Sequence, residues 1–206
     1  LRRQRQMCIR DRYTRFYGTP PTEQFRIIIG FTNGPCNYGP SRKLTGQPKE
    51  VFAIMNYAVD DNEQPVFYKK IVETVVHEFC HSFTRIKGDT GKALEKSGKA
   101  LQEYTYSSMR RQAYGTWRNI LEESLVRAAT ICYLIDHDYD EKDIRKAIIE
   151  QVDRNFFWMP ELVQTLRYYE SHRKKYPTFT SFYPEIVRFF DRYVADMEKE
   201  MQKVME

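Results

Sequence analysis

Apolar residues recur along this chain with two different periods, and the change between them divides it. Phe25-Arg26-Ile27-Ile28-Ile29-Gly30-Phe31 is β-branched and aromatic and is closed by Thr32-Asn33-Gly34-Pro35, which predicts a buried strand. Glu50 to Ala58 predicts a second strand, closed by Asp60-Asp61-Asn62, and the two are expected to pair in a small sheet. Between them Cys36-Asn37-Tyr38-Gly39-Pro40-Ser41 reads as a turn-rich loop. Ahead of them Tyr13 to Gln24, with Pro20-Pro21, reads as an irregular lead-in.

From Val66 the period becomes 3.6 residues. Ile71, Val72, Val75, Val76, Phe79, Cys80 and Phe83 take the three-and-four spacing of a buried stripe, predicting a helix to about Ile86 that Gly88-Asp89-Thr90-Gly91 should stop. Helix then dominates. Further helices are expected from about Lys92 to Tyr114-Gly115, weakened at Gly98, then over Trp117 to Asp136 and Glu141 to Arg154. Two more follow, over Pro160 to Lys174, with proline suited to the first turn, and from Pro184 to about Val204. On the last of these, Ile186, Phe189, Phe190, Tyr193, Val194, Met197, Met201 and Val204 form one stripe and are core candidates. The expected class is α+β: a small N-terminal sheet packed on one helix, followed by a mostly helical C-terminal half.

Composition changes this picture in one place. A chain of 206 residues, 41% hydrophobic and 15% aromatic, suffices for one compact domain, and no run of 18 apolar residues could span a membrane. The net charge of +5 and pI near 8.9 would invite a nucleic-acid reading. That excess lies in Arg2 to Arg12, however, whose back-translation is one frame of a common transposase-type sequencing-library adapter. Residues 1–12 are therefore expected to be an adapter artefact, with a single domain over 13–206. Without them 33 basic residues become 28 and 28 acidic residues become 27, a net charge near +1, and no nucleic-acid partner is expected. On this reading the true N-terminus is missing, so export cannot be judged from the sequence. Cys36, Cys80 and Cys132 remain, with neither disulfide nor metal spacing.

The chemistry sits in Val75-Val76-His77-Glu78-Phe79-Cys80-His81-Ser82-Phe83, which contains H-E-x-x-H. On a helix His77 and His81 project the same way, so two neutral imidazoles could share one Zn²⁺ at about 2.0 to 2.1 Å. Glu78 would act as general base toward a water at the open position. Catalytic zinc normally takes three protein ligands. His137 and His172 sit near predicted helix ends among charged residues and read as surface histidines. The better candidate is Glu123, with Glu122 as second choice, because acidic side chains there interrupt an apolar helix and a buried carboxylate demands a partner. Small Ser124 should let that helix approach the histidine helix closely. Arg127, one turn beyond Glu123, could instead simply pair with it. Tyr114 is the candidate oxyanion donor.

The stretches Gly30-Phe31-Thr32-Asn33-Gly34, Asn37-Tyr38-Gly39-Pro40-Ser41, Phe52-Ala53-Ile54-Met55, the histidine motif, Gln112-Ala113-Tyr114-Gly115 and Glu123-Ser124-Leu125-Val126-Arg127-Ala128 resemble a bacterial domain-of-unknown-function family that carries H-E-x-x-H. The likeness covers roughly Phe25 to Leu134. More distantly, H-E-x-x-H followed by a downstream Glu and a small residue resembles the gluzincins, zinc peptidases of thermolysin type. That resemblance implies a zincin-like fold with His77, His81 and Glu123 as zinc ligands and Glu78 as base. The gap between His81 and Glu123 is longer than in thermolysin-like enzymes, and Arg127 stands where many of them place an acidic residue.

The expected activity is zinc-dependent hydrolysis of a peptide or protein substrate, lying extended along the edge of the Glu50 to Ala58 strand. A rival from another class is a non-catalytic binding module that uses the loop around Asn37-Tyr38. Retention of Glu78 argues against it, since a structural site needs no general base.

Overall fold

The computed structural model describes residues 11–30, 34, 36–66 and 70–205. Phe31, Thr32, Asn33 and Pro35 of the expected strand end and turn, Phe67, Tyr68 and Lys69 of the expected histidine helix, and most of the expected adapter segment lie outside them, while Val66, expected to open that helix, lies in a strand. The chain divides into two compact units, Leu1–Arg85 and Ile86–Glu206.

In the first unit residues 11–17 are helical (α1), where an irregular lead-in was expected. The reason is aromatic. Tyr13 is buried among Phe25, Phe79 and Phe83, and its hydroxyl donates to the Val76 carbonyl at 2.7 Å. Strands β1 (Gln24–Ile29) and β3 (Glu50–Met55) pair in parallel over six residues, from Gln24 opposite Glu50 to Ile29 opposite Met55. Strand β2 (Ser41–Arg42) lies antiparallel on the other side of β3, giving the order β1-β3-β2. The pairing of the two expected strands is thus present, with two corrections. β1 is an edge strand with Ile27 and Ile28 about two-fifths exposed (43% and 41%), because it pairs on one side only. The second strand stops at Met55, where the Asn37 side chain accepts the Asn56 N–H at 2.9 Å, and Ala58–Val59 (β4) joins Pro65–Val66 (β5) in a separate hairpin.

Strand β3 is central and buries Val51, Ala53 and Met55, and helix α2 (Lys70–Cys80) packs against it. α2 ends six residues earlier than its periodicity predicts. Thr84 sends both its N–H (3.1 Å) and its hydroxyl (2.9 Å) to the Cys80 carbonyl, and Phe83 turns into the Tyr13–Phe25 cluster, so the apolar spacing continues through a turn.

The second unit is helical: α3 (Gly88–Arg111), α4 (Trp117–Asp136), α5 (Glu141–Asp153), α6 (Met159–Ser171) and α7 (Phe179–Met205). Gly88 to Gly91, expected to separate two helices, instead opens α3. Gly98 does not weaken it; a Cβ there would come within 2.6 Å of the Trp117 ring and 3.1 Å of Leu121, so glycine admits the close crossing of α3 and α4. Thr116 caps α4 by accepting from the Asn119 N–H. α6 stops three residues short of the expected end, with the His172 N–H turned back to Tyr169. α7 starts before Pro184 because Thr178 and Ser181 satisfy each other's N–H groups as a reciprocal cap. Trp158, Leu166, Tyr169, Phe182, Ile186 and Phe190 form the core of this unit. Met201 and Val204, expected in it, are exposed on the last turns of α7 (42% and 87%). Among the described residues no helix is long and apolar enough to cross a membrane.

Candidate metal centre

His77 lies in the last turn of α2 and His81 just beyond its end. The chain past Cys80 keeps a hydrogen-bonded turn, with Ser82 N–H on Phe79 and Phe83 N–H on Cys80, so the two imidazoles remain neighbours despite the early helix end. Their ring centroids are 5.0 Å apart and the planes nearly perpendicular at 85°. Both are half-buried, while Val75, Val76, Phe79 and Cys80 are buried and fix the helix.

Glu78, between the histidines, is only 6% exposed. The loop before β2 presses on its backbone. Any Cβ at Gly39 would overlap the Glu78 carbonyl oxygen, so this position requires glycine. Tyr38 pairs with Ile54 through both backbone groups (3.0 and 2.9 Å) and Pro40 accepts from Phe52 N–H at 2.9 Å. In the loop of the binding-module alternative, Tyr38 therefore bridges to β3, and the Asn37 side chain holds the Asn56 N–H at its end.

In the second unit Glu123 is likewise only 6% exposed, on α4. Arg127, one turn on, donates to Glu123 Oε1 at 2.7 Å, to the Tyr114 hydroxyl at 2.9 Å and to Gln151 at 2.5 Å, while its guanidinium lies 4.9 Å from the Phe156 ring centroid. The pairing of Glu123 with Arg127 is present, yet in a buried setting. Burial, and next the Glu123 charge, push the Tyr114 phenol above the ordinary range, so it keeps its proton and can donate. Within this unit Tyr114, Glu123 and Arg127 are thus one network.

Glu122, the second-choice ligand, is engaged elsewhere, accepting the Ile86 N–H at 2.9 Å. Ser124, expected to let α4 approach the histidine helix, is fully buried and accepts from Trp158 Nε1 at 2.9 Å, which makes it part of the helical core. His137 and His172 are the C-terminal caps of α4 and α6, each with Nδ1 on the carbonyl of the tyrosine four residues before it, Tyr133 at 2.8 Å and Tyr168 at 2.9 Å. They serve helix ends. Cys80 and Cys132 are buried and Cys36 exposed, all free thiols.

Neighbouring imidazoles and a buried carboxylate are the donor types zinc takes, and a ligating carboxylate is itself held by an outer partner, as Glu123 is by Arg127. The residues fit the ion. Sequence reasoning missed Gly39 and Tyr13, which position α2, and the Arg118–Glu122 pair described below. N-Y-G-P-S signalled a turn at Gly39; nothing signalled its packing partner.

The family model for the domain of unknown function DUF4932 matches residues 5–189, and the chain belongs to that family. The match begins inside the segment expected to be an adapter artefact and ends within α7. No curated protein and no solved structure matches the chain.

Proposed function

We propose that this DUF4932 chain is a zincin-like, zinc-dependent peptidase in which His77, His81 and Glu123, each offering one ligand atom, hold the ion. The observation that carries this is the pair of adjacent imidazoles, His77 in the last turn of α2 and His81 just beyond it, with a buried carboxylate, Glu78, between them in sequence. In an H-E-x-x-H helix the carboxylate after the first histidine is the general base, and a structural site would need none there. When bound, zinc supplies Lewis acidity toward water and toward the scissile carbonyl.

The remaining steps belong to the chain. Glu78 accepts the proton of the attacking water and delivers it to the leaving amine. Arg127 neutralises Glu123 and leaves the orientation of its carboxylate fixed through Oε1. Tyr114 gains a second task beside the expected oxyanion donation, since its hydroxyl accepts from Arg127 and steadies the guanidinium that holds Glu123. The substrate path expected along β3 is closed, because β1 pairs with one edge of β3 and Tyr38 to Arg42 with the other. We place an extended peptide instead on the outer edge of residues 38–42. There the alternation of antiparallel pairing turns the backbone groups of Gly39 and Ser41 away from β3, and Gly39 abuts Glu78.

The test is metal content followed by cleavage. Chain purified without chelator is expected to carry about one Zn²⁺, to lose it in His77→Ala, and to cleave members of a peptide library that Glu78→Gln does not. Zinc below about a tenth per chain after reconstitution sinks the metal centre. A zinc-loaded chain no more active than Glu78→Gln sinks the peptidase and favours the binding module.

A further inference from the structure

Ile86 is a buried residue in irregular chain, and both of its backbone polar groups are taken by α4. Glu122 accepts its N–H at 2.9 Å and Arg118, one turn earlier on the same face, donates to its carbonyl at 3.2 Å. Buried backbone outside regular structure must find partners, so a purely structural role is the first reading. The position in the chain argues for more. Thr84, two residues earlier, is tied through N–H and hydroxyl to the Cys80 carbonyl, at the end of the helix that carries His77. Arg85 alone separates the two anchored residues, and two extended residues span at most about 7 Å. On the α4 side, Glu122 is the immediate neighbour of Glu123.

We infer that Glu122 and Arg118 are positioning residues of the metal centre: by gripping Ile86 they fasten the chain that follows His81 to the helix that carries Glu123. This rests on the zinc reading above. It also gives the paired acids distinct duties, Glu123 toward the ion and Glu122 toward the backbone.

The experiment measures zinc affinity of the full chain by chelator competition, for wild type, Glu122→Gln, Glu122→Ala, Arg118→Met and the ligand control His81→Ala, with amide exchange at Ile86 as a second readout. Glu122→Gln keeps an acceptor for the Ile86 N–H and is expected to bind zinc within about threefold of wild type. Glu122→Ala is expected to weaken zinc about 10-fold or more, the scale of losing an outer support of a ligand, and to speed exchange at Ile86. Arg118→Met is expected to weaken zinc as well. A merely structural clamp would lower the melting temperature of metal-free Glu122→Ala and leave its zinc affinity at the wild-type value, and that result overturns the inference while the metal centre stands. If Glu122→Ala does not fold, Arg118→Met decides, and wild-type affinity there overturns it equally. Wild type that takes up no zinc overturns both, and the metal stoichiometry tells this case from the others.

Discussion

The backbone of Gly39 lies against the carbonyl of Glu78 so closely that no side chain fits between them. A loop residue thirty-nine positions upstream thereby sets the height of the proposed general base above the sheet. Gly39 itself has no left-handed conformation to explain its identity; the contact does.

Gly39→Ala is accordingly expected to force the loop and α2 apart. Overpacking of this kind costs about 1–3 kcal/mol, measurable by urea denaturation. Because the displacement falls on Glu78, cleavage should fall by more than the folded fraction does. An alanine variant as stable and active as wild type would show that the loop yields freely.

Glu78 and Glu123 are assigned different duties, and their glutamine variants should part accordingly. Glu78→Gln should retain zinc while cleavage falls by about 10² or more. Glu123→Gln should weaken zinc and activity together. Zinc loss at Glu78 and not at Glu123, read by metal analysis, would exchange the two roles.

Arg127 is the charge partner of a buried carboxylate, with side chains 11% and 7% exposed. Arg127→Met strands Glu123 and is expected to cost about 3–5 kcal/mol of unfolding free energy in the metal-free chain. Adding Glu123→Gln to that variant should recover part of the loss, since the stranded charge is gone. A single variant within about 1 kcal/mol of wild type would mean that water already reaches the pair.

Glu50 joins all three strands of the sheet: its carboxylate on β3 accepts from Arg42 of β2 at 2.6 Å and from Arg26 of β1 at 2.5 Å. Those guanidiniums, Arg42 first, hold its carboxyl below the ordinary range. A carboxyl depressed in the folded state contributes stability above its unfolded value, near about 4.3, and that contribution is lost as pH falls through the lower folded value. Denaturation midpoints between pH 6 and 3 should therefore fall more steeply for wild type than for Glu50→Gln. The arginines are more than half exposed (54% and 59%), so the difference is expected to be small and to shrink with added salt; identical profiles would show that the pair contributes nothing.

Sequence by itself determined the elements whose reasons are local. Alternating periods marked the strands and most helices, and the i, i+4 spacing put His77 and His81 side by side. The burial of Glu123 was legible too, as an acid inside an apolar stripe. Tertiary structure decided the rest, because each remaining answer depended on a partner distant in the chain. The aromatic cluster around Phe83 overrode the apolar period and ended α2 at Cys80, while Trp117 made Gly98 a packing residue inside a continuous helix. Pairing on both sides closed the β3 edge, Trp158 claimed Ser124, and the Ile86 amide claimed Glu122. Glu122 and Glu123 are chemically identical neighbours, and only the two directions in which a helix points successive side chains assigned one to a backbone amide and the other to an arginine.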